Sequence, residues 1–299
     1  MPADTAAIIR RDAEQAAAAL PAIQVAAERV AATIMQGVHG RRRVGQGDTF
    51  WQFRPYQQGD TVQRIDWRQT ARRTQAFIRE NEWEIAQSVW IWLDRSPSMD
   101  FKSNRDLPDK SWRAAVLMLA LGSLLVQAGE RIALMGTDMP PISNRPALDR
   151  MADILGRPPA AEAEALPPSA DLPRYAHIVI ISDFLSPPEE IEKSIRWYAT
   201  QGIRGHLLQI FDPAEQTLPF SGRIRFDGLE GEGSLMIGRV ETVRSEFNKL
   251  MANHRAAVAS IAQASGWSCT NHGTDHPPET ALLALFNAIG ELGELRRHA

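Results

Sequence analysis

Cysteine is all but absent from this chain of 299 residues: Cys269 is the only one. A lone thiol cannot close an intrachain disulfide, so the fold must rest on a hydrophobic core, and a reducing compartment fits it. Long apolar runs are missing too. The greasiest stretch, Ala114 to Val126, is shorter than the roughly 18 residues that suggest a membrane span. The alanine-rich start is interrupted by Asp4, Arg10, Arg11, Asp12 and Glu14, which breaks up the apolar segment an export signal needs. An excess of one charge is also lacking. With 33 Lys and Arg against 36 Asp and Glu, the net charge of -3 argues against a polyelectrolyte binder. A cytoplasmic protein without a transmembrane segment is expected.

What is present suits a globular protein. Apolar residues make up 44% and charged residues 23%, enough for one large domain or two small ones. Residues 1–40 read as a helical segment broken by Pro21, with Leu20, Ile23, Ala27, Val30 and Ile34 on one apolar stripe. Packing against the rest of the chain is the favoured use of that stripe. Residues 41–88 read as a small β-rich module dense in arginine and aromatic residues, with strands near Thr49–Phe53 and Phe77–Arg79. Tyr56 and Trp67 are expected to be buried, since so short a segment needs support from elsewhere.

Residues 89–299 alternate between strand and helix. Val89–Leu93, Ile132–Met135, His177–Ser182 and Gly205–Ile210 are short apolar runs of the kind buried in parallel sheets. Helices are expected near 110–128, 189–200 and 243–264, and from Pro278 onward. A glycine-bearing insertion at 223–239 reads as a hairpin. This order implies a doubly wound, mostly parallel α/β sheet of Rossmann-like architecture.

In such sheets ligands gather outside the carboxyl ends of the strands. Asp94 and Asp183 each follow an apolar strand, and Ser96 and Ser98 add hydroxyls at alternate positions after Asp94. Two carboxylates in one crevice share a proton or hold a cation. Oxygen donors of this type suit a hard ion such as Mg²⁺, with Mn²⁺ or Ca²⁺ as substitutes. The competing use of Asp-x-Ser-x-Ser is a turn-and-cap arrangement into the next helix.

The pattern Asp94-x-Ser96-x-Ser98 after an apolar strand is similar to the metal-ion-dependent adhesion site of von Willebrand type A domains, and Ser182-Asp183-Phe184 resembles its later strand-end aspartate. The block Phe53-Arg54-Pro55-Tyr56-Gln57-Gln58-Gly59-Asp60, with Arg64-Ile65-Asp66-Trp67, resembles the bacterial family called domain of unknown function 58. That block is far more specific than the metal motif alone. The resemblance implies a von Willebrand type A-like fold and a metal-binding protein-interaction module working beside a MoxR-type AAA+ ATPase. By the same resemblance Asp94, Ser96, Ser98 and Asp183 form the metal site, the first aspartate and the two serines holding the ion and the late aspartate usually acting through water. An acidic side chain of the partner completes the ion's shell. Type A domains usually add a threonine from an intervening loop; here only Thr137 and Ser143 offer hydroxyls, and neither has the expected context.

Rival readings are weaker. A haloacid dehalogenase-type phosphatase also uses an aspartate after its first strand with Mg²⁺, yet the position two residues on, where it needs an acid, holds Ser96. No catalytic constellation is evident, and the chain is not read as an enzyme. Arg41–Arg43, Arg54, Arg64, Arg68, Arg72 and Arg73 lie among aromatics in a way that could grip single-stranded nucleic acid. Asp48, Asp60 and Asp66 are interspersed, which favours a structural or docking role and no nucleic-acid partner. Cys269, His272 and His276 lack the fourth ligand of a zinc site.

Overall fold

A computed structural model describes residues 88–157, 164–229, 231 and 233–294, together with 25, 27–29, 31, 32, 34, 50–56, 67–70 and 76–81. Contacts divide the chain into two compact units, one formed by residues 1–37 and 87–299 and the other by 38–86.

In the smaller unit, β1 (Phe50–Pro55) and β2 (Phe77–Asn81) pair antiparallel, with a register irregularity between Phe50 and Gln52. Trp67, opening a short helical turn, is 65% exposed and Tyr56 is 37% exposed. The expectation that both are buried is therefore corrected: aromatic type reports size and stickiness, and large aromatics are often only partly covered. The Gln58–Asp60 turn and most of the arginine-rich stretch lie outside the described residues.

The larger unit is built on five parallel strands: β3 (Ser88–Leu93), β4 (Arg131–Leu134), β5 (His177–Ser182), β6 (Arg204–Phe211) and β9 (Ser268–Gly273), in spatial order β4-β3-β5-β6-β9. Between them run α1 (Lys110–Gln127), α2 (Arg145–Leu155), α3 (Pro188–Thr200), α4 (Pro213–Thr217) and α5 (Val240–Ala264), with α6 (Pro278–Glu294) last. α1 packs with α2 and α6, whereas α3 packs with α5. The two groups cover opposite faces, which makes the sheet doubly wound as its sequence pattern implies. One face joins Trp92, Ile178, Ile180 and Leu207 to Ile191, Ile195 and Tyr198 of α3 and to Val258 and Ala262 of α5. α1 is buried along nearly its whole length, as suits a core helix apolar on every side.

Close approach at β6 requires a glycine. A Cβ on Gly205 would lie 1.9 Å from the Trp267 ring, whose Nε1 donates to the Ile203 carbonyl. The insertion is the expected hairpin, β7 (Ile224–Asp227) against β8 (Ser234–Ile237), and its loop places Gly231 and Gly233 at φ of 90° and 88°, a region that glycine enters without strain. In the N-terminal segment, residues 27, 31 and 34 are helical and their side chains are buried.

Candidate metal centre

The order β4-β3-β5-β6-β9 reverses between β3 and β5, because the chain winds outward from β3 to β4 and then crosses back to β5. Two adjacent strands there have connections leaving in opposite directions, and doubly wound folds bind their ligands outside the carboxyl ends of such a pair. Asp94 follows β3 and Asp183 follows β5, and the Asp94 amide still donates to the Ile181 carbonyl at 2.9 Å. The topology thus puts both aspartates on neighbouring strands at the switch point.

A continuous run of oxygens joins them. Asp94 Oδ1 accepts from Ser96 Oγ at 2.6 Å and from the Ser96 amide at 2.8 Å. Ser96 Oγ lies 3.1 Å from Ser98 Oγ, and Ser98 Oγ donates to Asp183 Oδ2 at 2.9 Å. Asp94 Oδ2 accepts from Ser182 Oγ at 2.6 Å, and that hydroxyl accepts from the Phe184 amide. Ser96 precedes a 3₁₀ turn, Pro97–Met99, yet makes no side-chain cap to it. Its hydroxyl is turned to Asp94 instead, so the capping use of this sequence is not the one adopted by Ser96.

Burial is deep. Asp94 is 1% exposed, Ser96 2% and Asp183 3%, while Ser98 is only half-buried and is where the group opens outward. Beside it, Pro97 and Leu185 are exposed. Burial pushes the Asp94 carboxyl up to about 6, against the lowering effect of its bonds from Ser182 and Ser96. Hydroxyl and amide donors alone do not fully compensate this carboxylate for lost water.

Asp183 is different, because it has a cation of its own. Lys110 Nζ lies 2.9 Å from Asp183 Oδ2 and 2.5 Å from Glu215 Oε1, with no exposed side-chain surface. Burial works against its charge, but Asp183 and then Glu215 overcome this and raise its affinity for the proton. Glu215 belongs to a capping box on α4. Its Oε2 accepts from the Asp212 amide, while the Asp212 carboxylate accepts from the Ala214 and Ser103 amides. Gln209, one strand over, donates to the Asp183 carbonyl at 2.8 Å, and its own Oε1 is buried without a hydrogen-bond partner among the described residues.

The donor set fits a small hard cation. Neighbouring oxygens in an octahedral shell at 2.0–2.1 Å are about 2.9 Å apart, and the run from Asp94 through Ser96 and Ser98 to Asp183 has hydrogen-bond separations of 2.6, 3.1 and 2.9 Å. These are close enough that an ion could replace the hydrogen bonds with little movement. Neither candidate for the usual threonine is brought in by a hydrogen bond to these residues. Thr137 Oγ1 donates to the Leu134 carbonyl in its own turn, and Ser143 is exposed. Cys269 and His272 are three apart on β9, which puts them on opposite faces of the strand. Lys110, Ser182, Gln209 and Glu215 are the members of this site that the sequence reading missed. Only the Asp212-x-x-Glu215 spacing carried a local signal, that of a capping box.

Residues 52–257 match the family described as "Protein of unknown function DUF58". Uncharacterized proteins of Mycobacterium bovis and Mycobacterium tuberculosis are 26% identical to the chain over 304 residues, covering 96% of it and 93% of each of them. Two solved structures are similar at 16% identity. A conserved hypothetical protein BatB from Bacteroides thetaiotaomicron has a TM-score of 0.46, with 70% of this chain and 100% of that one covered. An aerotolerance-related membrane protein from Bacteroides fragilis, carrying multiple mutations to serines, has a TM-score of 0.44, with 69% and 100% covered. No helix among the described residues of this chain is long and apolar enough to cross a membrane.

Proposed function

This chain belongs to the family described as "Protein of unknown function DUF58", and on that footing we propose that it is a metal-dependent protein-interaction module. Asp94, Ser96, Ser98 and Asp183 hold Mg²⁺, or Mn²⁺ or Ca²⁺ in its place. A partner protein closes the ion's shell with an Asp or Glu, and a MoxR-type AAA+ ATPase is the candidate implied by the resemblance to the domain of unknown function 58 family. The reading is carried by one observation: four oxygen-bearing side chains from two adjacent strand ends form a run spaced like the edge of an octahedral shell.

The electrostatics agree with it. Among the described residues Asp94 has no cationic partner, and a divalent ion would supply the compensation that its buried carboxyl lacks. Half-buried Ser98 gives the group its outward opening, and exposed Leu185 and Pro97 beside it offer a rim for a partner. Serines and water add no formal charge, so an ion held by two carboxylates retains attraction for a third.

Titration calorimetry with Mg²⁺ or Mn²⁺ tests the site, followed by partner affinity with and without chelator. Binding in the wild type should vanish in Asp94→Ala, and chelation should weaken the partner complex at least about tenfold, or 1.4 kcal/mol, with the far-UV spectrum unchanged. Metal binding retained at wild-type affinity in Asp94→Ala would remove the site assignment. Unchanged partner affinity after verified metal loss would remove the bridge.

A further inference from the structure

Lys110 is in an unusual place for a lysine. It is the first residue of α1, where the helix dipole disfavours a cation, and its side chain is fully buried. Among the described residues its ammonium meets two carboxylates and the face of an aromatic ring. Asp183 Oδ2 and Glu215 Oε1 accept from Nζ, and the Phe101 ring lies 5.9 Å away. The oxygen it holds is also the last of the run that starts at Asp94, since Asp183 Oδ2 accepts from Ser98 Oγ as well.

We propose that Lys110 is a built-in competitor for the cation site, a resident ammonium that shares Asp183 with the incoming divalent ion and so sets that ion's affinity. The inference rests on the metal-site reading above and adds to it the residue that tunes it. Two cations on one carboxylate oxygen repel each other strongly in a buried setting. Loading the ion therefore requires the ammonium to shift its weight from Asp183 to Glu215. Glu215 is held ready by the α4 capping box, through its other oxygen on the Asp212 amide. Without the ion, Lys110 neutralises Asp183 and keeps the crevice folded. With the ion, the ammonium is left to Glu215, the carboxylate it already touches, so that α1 and α4 both register occupancy.

Mn²⁺ affinity of the full chain, measured by calorimetry in wild type, Lys110→Met, Glu215→Gln and Asp94→Ala, tests this. The thermal midpoint with and without Mn²⁺ gives a second readout. Lys110→Met, which keeps the apolar stem and removes the charge, should bind Mn²⁺ about tenfold tighter or more and gain more thermal stability from it. Glu215→Gln leaves the lysine to Asp183 alone and should weaken binding about threefold or more. A wild type that binds no Mn²⁺, beside a Lys110→Met form that does so in an Asp94-dependent way, would support the proposal in its strongest form. Unchanged or weaker binding in Lys110→Met, with binding still lost in Asp94→Ala, would overturn the competitor role and leave the metal site standing. No binding by either wild type or Lys110→Met would overturn both. Should Lys110→Met fail to fold, Glu215→Gln decides alone, and unaltered affinity there overturns the proposal.

Discussion

His206 and Asp94 are both buried ionisable groups attached to central strands, and burial moves their contributions to stability in opposite directions with pH. His206 stacks on His177, with ring centroids 5.4 Å apart, and bonds to its Nδ1 and to Ser268. Burial, and then the neighbouring His177 and Arg204 charges, push its imidazole down to about 3. A group depressed on folding binds its proton in the unfolded chain first. Its stabilising contribution is complete above the unfolded value of about 6.5, and it is lost as pH falls from there toward 3, by about 1.4 kcal/mol per pH unit. Asp94 is raised to about 6, so its contribution is present below about 3.8 and declines as pH rises through 6. The two partly cancel between pH 4 and 6, and the His206 slope emerges only by difference. Urea unfolding at pH 7 and pH 5 should show wild type losing more stability than His206→Asn by about 2 kcal/mol over that interval. Parallel losses would mean that the histidine is not buried neutral.

At the scale of elements, Arg95 turns the loop after β3 into a joint between the site and a helix. Its guanidinium donates to the carbonyls of Ile154, Leu155 and Arg157 at the end of α2. Ile154 and Leu155 lie in the last turn of α2 and Arg157 two residues beyond it, and the end of the helix dipole favours a cation there. Arg95→Ala should cost about 1–3 kcal/mol, since hydrogen bonds from a charged donor are lost and carbonyls are left to water, with faster amide exchange at the end of α2 as its signature. Exchange confined to 95–99 would place the effect in the loop alone. Neither side of this joint was legible in the sequence. α2 buries only Ala147, Met151 and Ala152 of its eleven residues, too narrow a face to stand out from its charged neighbours. The strands were legible because β5 is buried at all six positions and so reads as an unbroken apolar run. Asp94 and Asp183 were legible because each ends such a run. Lys110 was not: its partners lie 73 and 105 residues away, and no local spacing encodes a contact of that range. A lysine at the start of a helix reads as a solvated end unless its burial is known.

At the scale of the whole molecule, the larger unit is assembled from both sides of the 38–86 segment, for residues 1–37 group with 87–299. The N-terminal helix contributes Ala27, Ala31 and Ile34, which are 3%, 1% and 5% exposed and follow the four- and three-residue spacing of one helical face. Its Glu28 carboxylate lies 3.2 Å from the Arg145 guanidinium at the start of α2, but both side chains are largely exposed, and such a pair adds little. The apolar face must therefore do the holding. Ile34 is the largest of the three, and truncating a buried isoleucine removes transfer energy and leaves a cavity. Ile34→Ala should cost about 2–4 kcal/mol, and Glu28→Gln about 0–1 kcal/mol. If the helix is part of the unit, Ile34→Ala lowers the single unfolding transition that β5 and β6 report by hydrogen exchange. If it is an appendage, protection falls only across residues 25–34 and the exchange of β5 is untouched, and the grouping of the N-terminus with the α/β sheet would then be wrong.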